Sequence, residues 1–189
     1  MRNIILTIAT VLLSASLTAQ GVFSNKTQAI LEKVIQDYPN HFNDIKGELI
    51  QQTLQTTEYT STVQLPGSAS SIVTLSTHQS DNNSWTCVIF KAGNFEKARN
   101  SFQQIYGQLR NCIITTAGQK TFILSGQYEA PAEDKKSTSI IFSLLPGVGD
   151  MKRLKVELSL QEAGNGWTIL LLVEDKDPKE EAQGAMTAN

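Results

Sequence analysis

The chain has 189 residues, 40% of them hydrophobic, and its 16 Lys and Arg against 18 Asp and Glu leave a formal charge of −2. A chain so close to neutral carries no electrostatic footprint for a nucleic-acid backbone. It is long enough for one well-filled core or two intimately packed half-units.

The first residues, MRNIILTIATVLLSASLTAQ, place Arg2 before an apolar stretch from Ile4 to Leu13 and a small-residue stretch ending at Ala19. That order is the grammar of a secretory leader cut after Ala19. The apolar stretch, about ten residues, falls short of the roughly twenty a membrane-spanning helix needs. The expectation is an exported chain, periplasmic or secreted, beginning at Gln20 with no membrane span, its formal charge moved to −3 by loss of Arg2.

Ser24 can cap a helix through Tyr38, in which Ile30, Leu31, Val34, Ile35 and Tyr38 recur at helical spacing until Pro39 stops them. "HFNDIKGELI" is extended and broken at Gly47. "TTEYTSTVQL" alternates through Tyr59, Ser61, Val63 and Leu65 to a Pro66-Gly67 turn. "SSIVTLST" and "WTCVIFK" are two more strands around the turn cluster "SDNNS". Asn94 then caps a second helix with Phe95, Ala98, Phe102, Ile105, Tyr106 and Leu109 on one face. Extended segments "NCIITT" and "KTFILSGQYE" follow, then the strands "TSIIFSLL", "RLKVELSL" and "WTILLLV", and a polar tail from 175 to 189 expected to be disordered.

Parts of this order repeat at an offset of about eighty residues. Leu65-Pro66-Gly67 is echoed by Leu145-Pro146-Gly147, Trp85-Thr86 by Trp167-Thr168, and the pair Phe42 and Gly47 by Phe122 and Gly126. The sequence therefore predicts an α+β fold of two tandem helix-plus-four-strand units, 20–91 and 92–174. Their antiparallel strands form one or two sheets, with both helices on one face.

Chemistry is sparse. His41 and His78 each open an H-x-x-D pattern, but zinc sites take three or four ligands and these pairs sit in polar loops. Cys87 lies mid-strand, where a buried thiol is inert. A bridge to Cys112 would close a loop of about 25 residues and stabilise by roughly 3 kcal/mol. The helix between them, about 22 Å long, works against the close approach a disulfide needs. Glu133-Asp134 and Glu174-Asp175 read as solvated surface, Lys152, Arg153 and Lys155 as a solvated strand edge, and the glycines of "PGVGD" lack the context of a dinucleotide site. No cofactor and no metal are expected.

One feature is positive: three strands are apolar on both faces. Trp85, Cys87 and Ile89 oppose Val88 and Phe90. Trp167, Ile169, Leu171 and Val173 oppose Leu170 and Leu172, and Ile140, Phe142 and Leu144 oppose Ile141 and Leu145. A half-exposed antiparallel strand should show a polar face. Either a second sheet covers the far side or something else does. The favoured function is a non-catalytic exported protein whose sheet surface, at Val88, Phe90, Leu170 and Leu172, engages a protein or other macromolecular partner, or a copy of itself. The rivals are a carrier of a small apolar ligand held near Phe102, Tyr106, Val88 and Leu170, and a hydrolase without a recognisable motif.

Overall fold

A computed structural model describes residues 19–77, 83–116, 118 and 120–175, without the side chains of 19–25. The expected leader and tail, apart from Ala19 and Asp175, lie outside these residues, as does His78. In chain order the elements are α1 (Ala19–Asp37), β1 (Lys46–Gln52), β2 (Thr56–Ser61), β3 (Ser70–Ser76), β4 (Ser84–Ala92), α2 (Phe95–Arg110), β5 (Ile113–Thr116), β6 (Lys120–Ser125), β7 (Ser137–Leu145), β8 (Leu154–Ala163) and β9 (Gly166–Asp175). Short 3-10 turns occupy Tyr38–Asn40 and Gly149–Lys152.

Alternation decides the strands. In β8, Leu154, Val156, Leu158 and Leu160 are buried while Lys155, Glu157, Ser159 and Gln161 between them are half-buried. All nine strands join one antiparallel sheet in the order β1-β2-β3-β4-β9-β8-β7-β6-β5. The second sheet that double-faced strands allowed is therefore absent among the described residues. Each half is a meander, and the two meet at the β4–β9 pair. The buried side chains of the strands and those of both helices form one cluster on one face.

Several expectations need correcting. The first helix starts at Ala19, so Ser24 lies inside it, because no proline interrupts the backbone before Pro39. Strand β2 stops at Ser61, whose hydroxyl bonds the Val63 backbone and turns the chain away. The second half holds five strands, since β5 and β6 form their own hairpin around Gly118. Strand β8 is interior, flanked by β7 and β9, so Arg153 and Lys155 do not mark an edge. Helix α1 packs on β5 of the other half, which interlocks the halves.

Helix α2 is built as its sequence indicates. Asn94 Oδ1 accepts the Lys97 N–H at 3.1 Å, and Phe95, Ala98, Phe102 and Leu109 are buried. The Phe95 ring meets Trp167 edge-on at 4.9 Å. Trp85 is fully buried and donates its indole N–H to Ser61 Oγ at 3.0 Å and Val63 O at 3.3 Å, pinning the segment after β2 over the core. Gly166 is obligatory for packing, because a Cβ there would stand 2.5 Å from the Ala92 carbonyl.

Urea titration should separate these positions. Ile169→Ala, a deletion at a fully buried site, is expected to cost about 2–5 kcal/mol. Ser71→Ala should be neutral or stabilising, because the buried Ser71 hydroxyl has no hydrogen-bond partner to lose.

Candidate functional site: the open face of the sheet

Residues directly opposite on paired strands share a face, so the registers define rows across the uncovered side. One row runs Ile141, Glu157, Leu172, Thr86, Ile72 and Thr60. The next runs Ser139, Ser159, Leu170, Val88 and Ser70. Nearer the β5 edge, Ile113, Ile123 and Leu145 stand in line and are 51%, 50% and 44% exposed. The polar members bond to one another: Ser139 Oγ donates to Glu157 Oε1 at 2.6 Å, and Lys155 Nζ donates to Ser143 Oγ at 3.1 Å. The face is thus an aliphatic patch, Val88, Leu170, Leu172 and Ile72, set in serine, threonine and a few charges.

Three of the four residues singled out from the sequence come together here. Val88 faces Leu170 directly, and Leu172 lies one row on, opposite Thr86. Phe90 does not join them. A β-bulge shifts the register so that Val88 opposes Leu170 but Phe90 opposes Ile169, a fully buried residue of the helix-covered face. One extra residue reverses the side-chain sense of the rest of the strand. The Phe90 ring accordingly lies beneath the ammonium of Lys97 on α2, 5.9 Å from its centroid. Sequence alternation missed Ile72, Ile113 and Ile123, each the lone apolar residue on the open face of its strand, which become a surface only when strands are paired.

Cys87 and Cys112, which the sequence allowed to bridge, are both free and buried. Cys87 faces the core from β4, while Cys112 follows α2 and donates its thiol to the Gln108 carbonyl at 3.3 Å. Burial, and then the negative charge of Glu32, push the Cys112 thiol up to about 11.

Several ionisable groups elsewhere serve the fold. Asp37 binds the chain that leaves α1: Oδ2 accepts the Asp44 N–H at 3.0 Å and the Ile45 N–H at 3.2 Å, and Oδ1 accepts from Asn40. Burial raises its carboxyl despite these bonds. This network holds His41 and Phe42 in the left-handed region, at φ of 56° and 59°. Tyr38 hydrogen-bonds Asp175, and burial together with that bond raises its hydroxyl well above the usual range. Asp175 also pairs with Arg153 Nε at 2.9 Å. His41 is exposed, and among the described residues no three His, Cys, Asp or Glu converge as metal ligands. The residues named for an apolar ligand are not brought together: Phe102 is fully buried in the core with Tyr106 packed against it, whereas Val88 and Leu170 face each other on the open side of the sheet.

No family model matches this chain, and no curated protein matches it. Among solved structures, the extracellular domain of PknH from Mycobacterium tuberculosis is similar over 76% of this chain and 85% of its own, at 15% identity and a TM-score of 0.34. That is a likeness of outline only. Among the described residues no helix is long and apolar enough to cross a membrane.

Thiol titration checks the cysteine state. Both thiols should resist a water-soluble disulfide reagent at pH 8 in the folded protein, being buried and, for Cys112, protonated at that pH. Both should react once the chain is unfolded without reductant, whereas a bridged pair would give no reaction until reduced.

Proposed function

We propose that this chain is an exported, non-catalytic binding module that docks a protein partner on the open face of its sheet. One-sided burial carries the reading. Both helices lie on one face, while the other presents contiguous Val88, Leu170, Leu172 and Ile72 with a polar surround. Scattered exposed aliphatics are ordinary, but a contiguous apolar patch rimmed by polar residues is the usual mark of an interaction surface. The leader pattern of residues 1–19 supports export. A binding role rather than turnover is favoured because the candidate acids and bases are dispersed, with Asp37 engaged by backbone amides and His41 in solvent.

The two halves, 20–91 and 92–174, are read as products of one duplicated unit. In support, each meander reaches the central seam in the same order, through strands bearing the two Trp-Thr pairs. Gly47 and Gly126 both stand where a Cβ would strike the neighbouring strand, 2.6 Å from Thr60 Oγ1 and 2.8 Å from the Phe142 ring. The two Leu-Pro-Gly turns differ, since Gly67 is left-handed at φ 77° while Leu145–Pro146 is a cis peptide.

Affinity capture from the exported fraction tests the binding reading. Leu172→Ser, at a half-exposed position, should lower stability by less than about 1 kcal/mol yet abolish retention of the partner, while Lys33→Ser on the exposed side of α1 retains it. A loss exceeding about 2 kcal/mol in Leu172→Ser would assign these leucines to the core instead, and unchanged capture would overturn docking on this face.

A further inference from the structure

On the helix side of the sheet, remote from the open face, two clefts meet. The first, about 270 Å³, is bounded by Gln36 and Pro39 at the end of α1, Thr116, Lys120 and Phe122 of the β5–β6 hairpin, and Val148 to Met151 before β8. The second, also about 270 Å³, shares Pro39 and Asp150 and continues to Tyr38, His41 and the paired Arg153 and Asp175. The charged lining of the first is one cation and one anion. Lys120 and Asp150 both line it, yet they do not pair with each other, and neither side chain has a hydrogen-bond or ion-pair partner among the described residues. Between them lie the apolar groups of Pro39, Phe122, Met151 and Val148, the last 46% exposed.

We propose that this cleft binds a small aliphatic zwitterion, an α-amino acid or the equivalent end-charged short peptide. Its ammonium is held by Asp150, its carboxylate by Lys120, and its side chain lies against Val148 and Met151. One cation and one anion at separate positions select a ligand bearing both charges, since a simple amine or fatty acid leaves one partner unused. The cleft lies just below the range of drug-sized pockets, so the ligand is small. Charge-assisted hydrogen bonds to the ammonium and to the carboxylate supply orientation, and the aliphatic contact supplies affinity. The assignment stands independently of partner docking, because Lys120 and Asp150 are absent from the open face.

The test is an NMR titration of the ¹⁵N-labelled protein with L-leucine, leucyl-leucine and N-acetyl-leucine amide, the last keeping the side chain and lacking both charges. Leucine should produce saturable shifts at the amides of Thr116, Gly149 and Asp150, and the neutral analogue should bind at least about tenfold more weakly. Lys120→Met and Asp150→Asn, both exposed positions whose spectra should otherwise stay native, should each raise the Kd about tenfold. Tighter binding of leucyl-leucine with shifts extending to His41 identifies a peptide site, and equal or weaker binding identifies a free amino acid. Absence of saturable shifts with either zwitterion, equal binding of the neutral analogue, or unaltered affinity in both variants overturns the assignment.

Discussion

The antiparallel pairing of β4 with β9 is the contact on which the rest of the structure depends. It is the only strand pairing between the two meanders among the described residues, and it joins them into a single nine-stranded sheet. Its core side carries Trp85, Cys87, Ile169, Leu171 and Val173, all fully buried. Helix α2, which follows β4 and leads into β5, contacts both β4 and β9 and thus lies across their join. The bulge in β4 belongs to this seam. It turns Phe90 toward α2, and Ala92 then meets Trp167 and approaches Gly166 so closely that only glycine fits.

Among the described residues both helices pack into the same core cluster, so they cover one side of the sheet. Helix α2 spans its centre, α1 takes the β5 side, and the segment pinned by Trp85 lies over the β1–β4 side. The uncovered side must then satisfy water. It does so with serine and threonine on most strands and with cross-strand bonds such as Ser139 to Glu157. The aliphatic side chains that remain there, Val88, Leu170, Leu172 and Ile72, are the ones on which the docking proposal rests.

The two sheet edges are managed differently. On β5, the Thr115 N–H donates to Glu32 Oε1 at 3.1 Å and its carbonyl accepts from Gln36 Nε2 at 2.8 Å, so helix side chains occupy the groups another strand would use. On β1, register shifts on both sides of Leu49 break the regular ladder that edge-to-edge pairing requires. The loop linking α1 to β1 carries its own local strain in the left-handed pair His41 and Phe42. That geometry is fixed by Asp37 on one side and the complete burial of Phe42 on the other.

The sequence alone determined the local order: which segments alternate, where Asn94 opens a helix, and that Leu154 to Leu160 present one buried face. These follow from periodicity and capping, which act over a few residues. It also made visible that Leu170 and Leu172 share a face opposite Ile169 and Leu171, because a regular strand repeats every two residues. It did not reveal that Phe90 leaves that face, since a bulge is a mismatch between two strands and neither strand alone encodes it. Nor did it show that β9 returns to pair with β4, that the strands of the described residues all join one sheet, or that Lys120 and Asp150 line one cleft 30 positions apart in the chain. Those outcomes depend on long-range pairing and packing. Only tertiary structure decides them, because the energy that selects one register or one neighbour arises after distant segments have met.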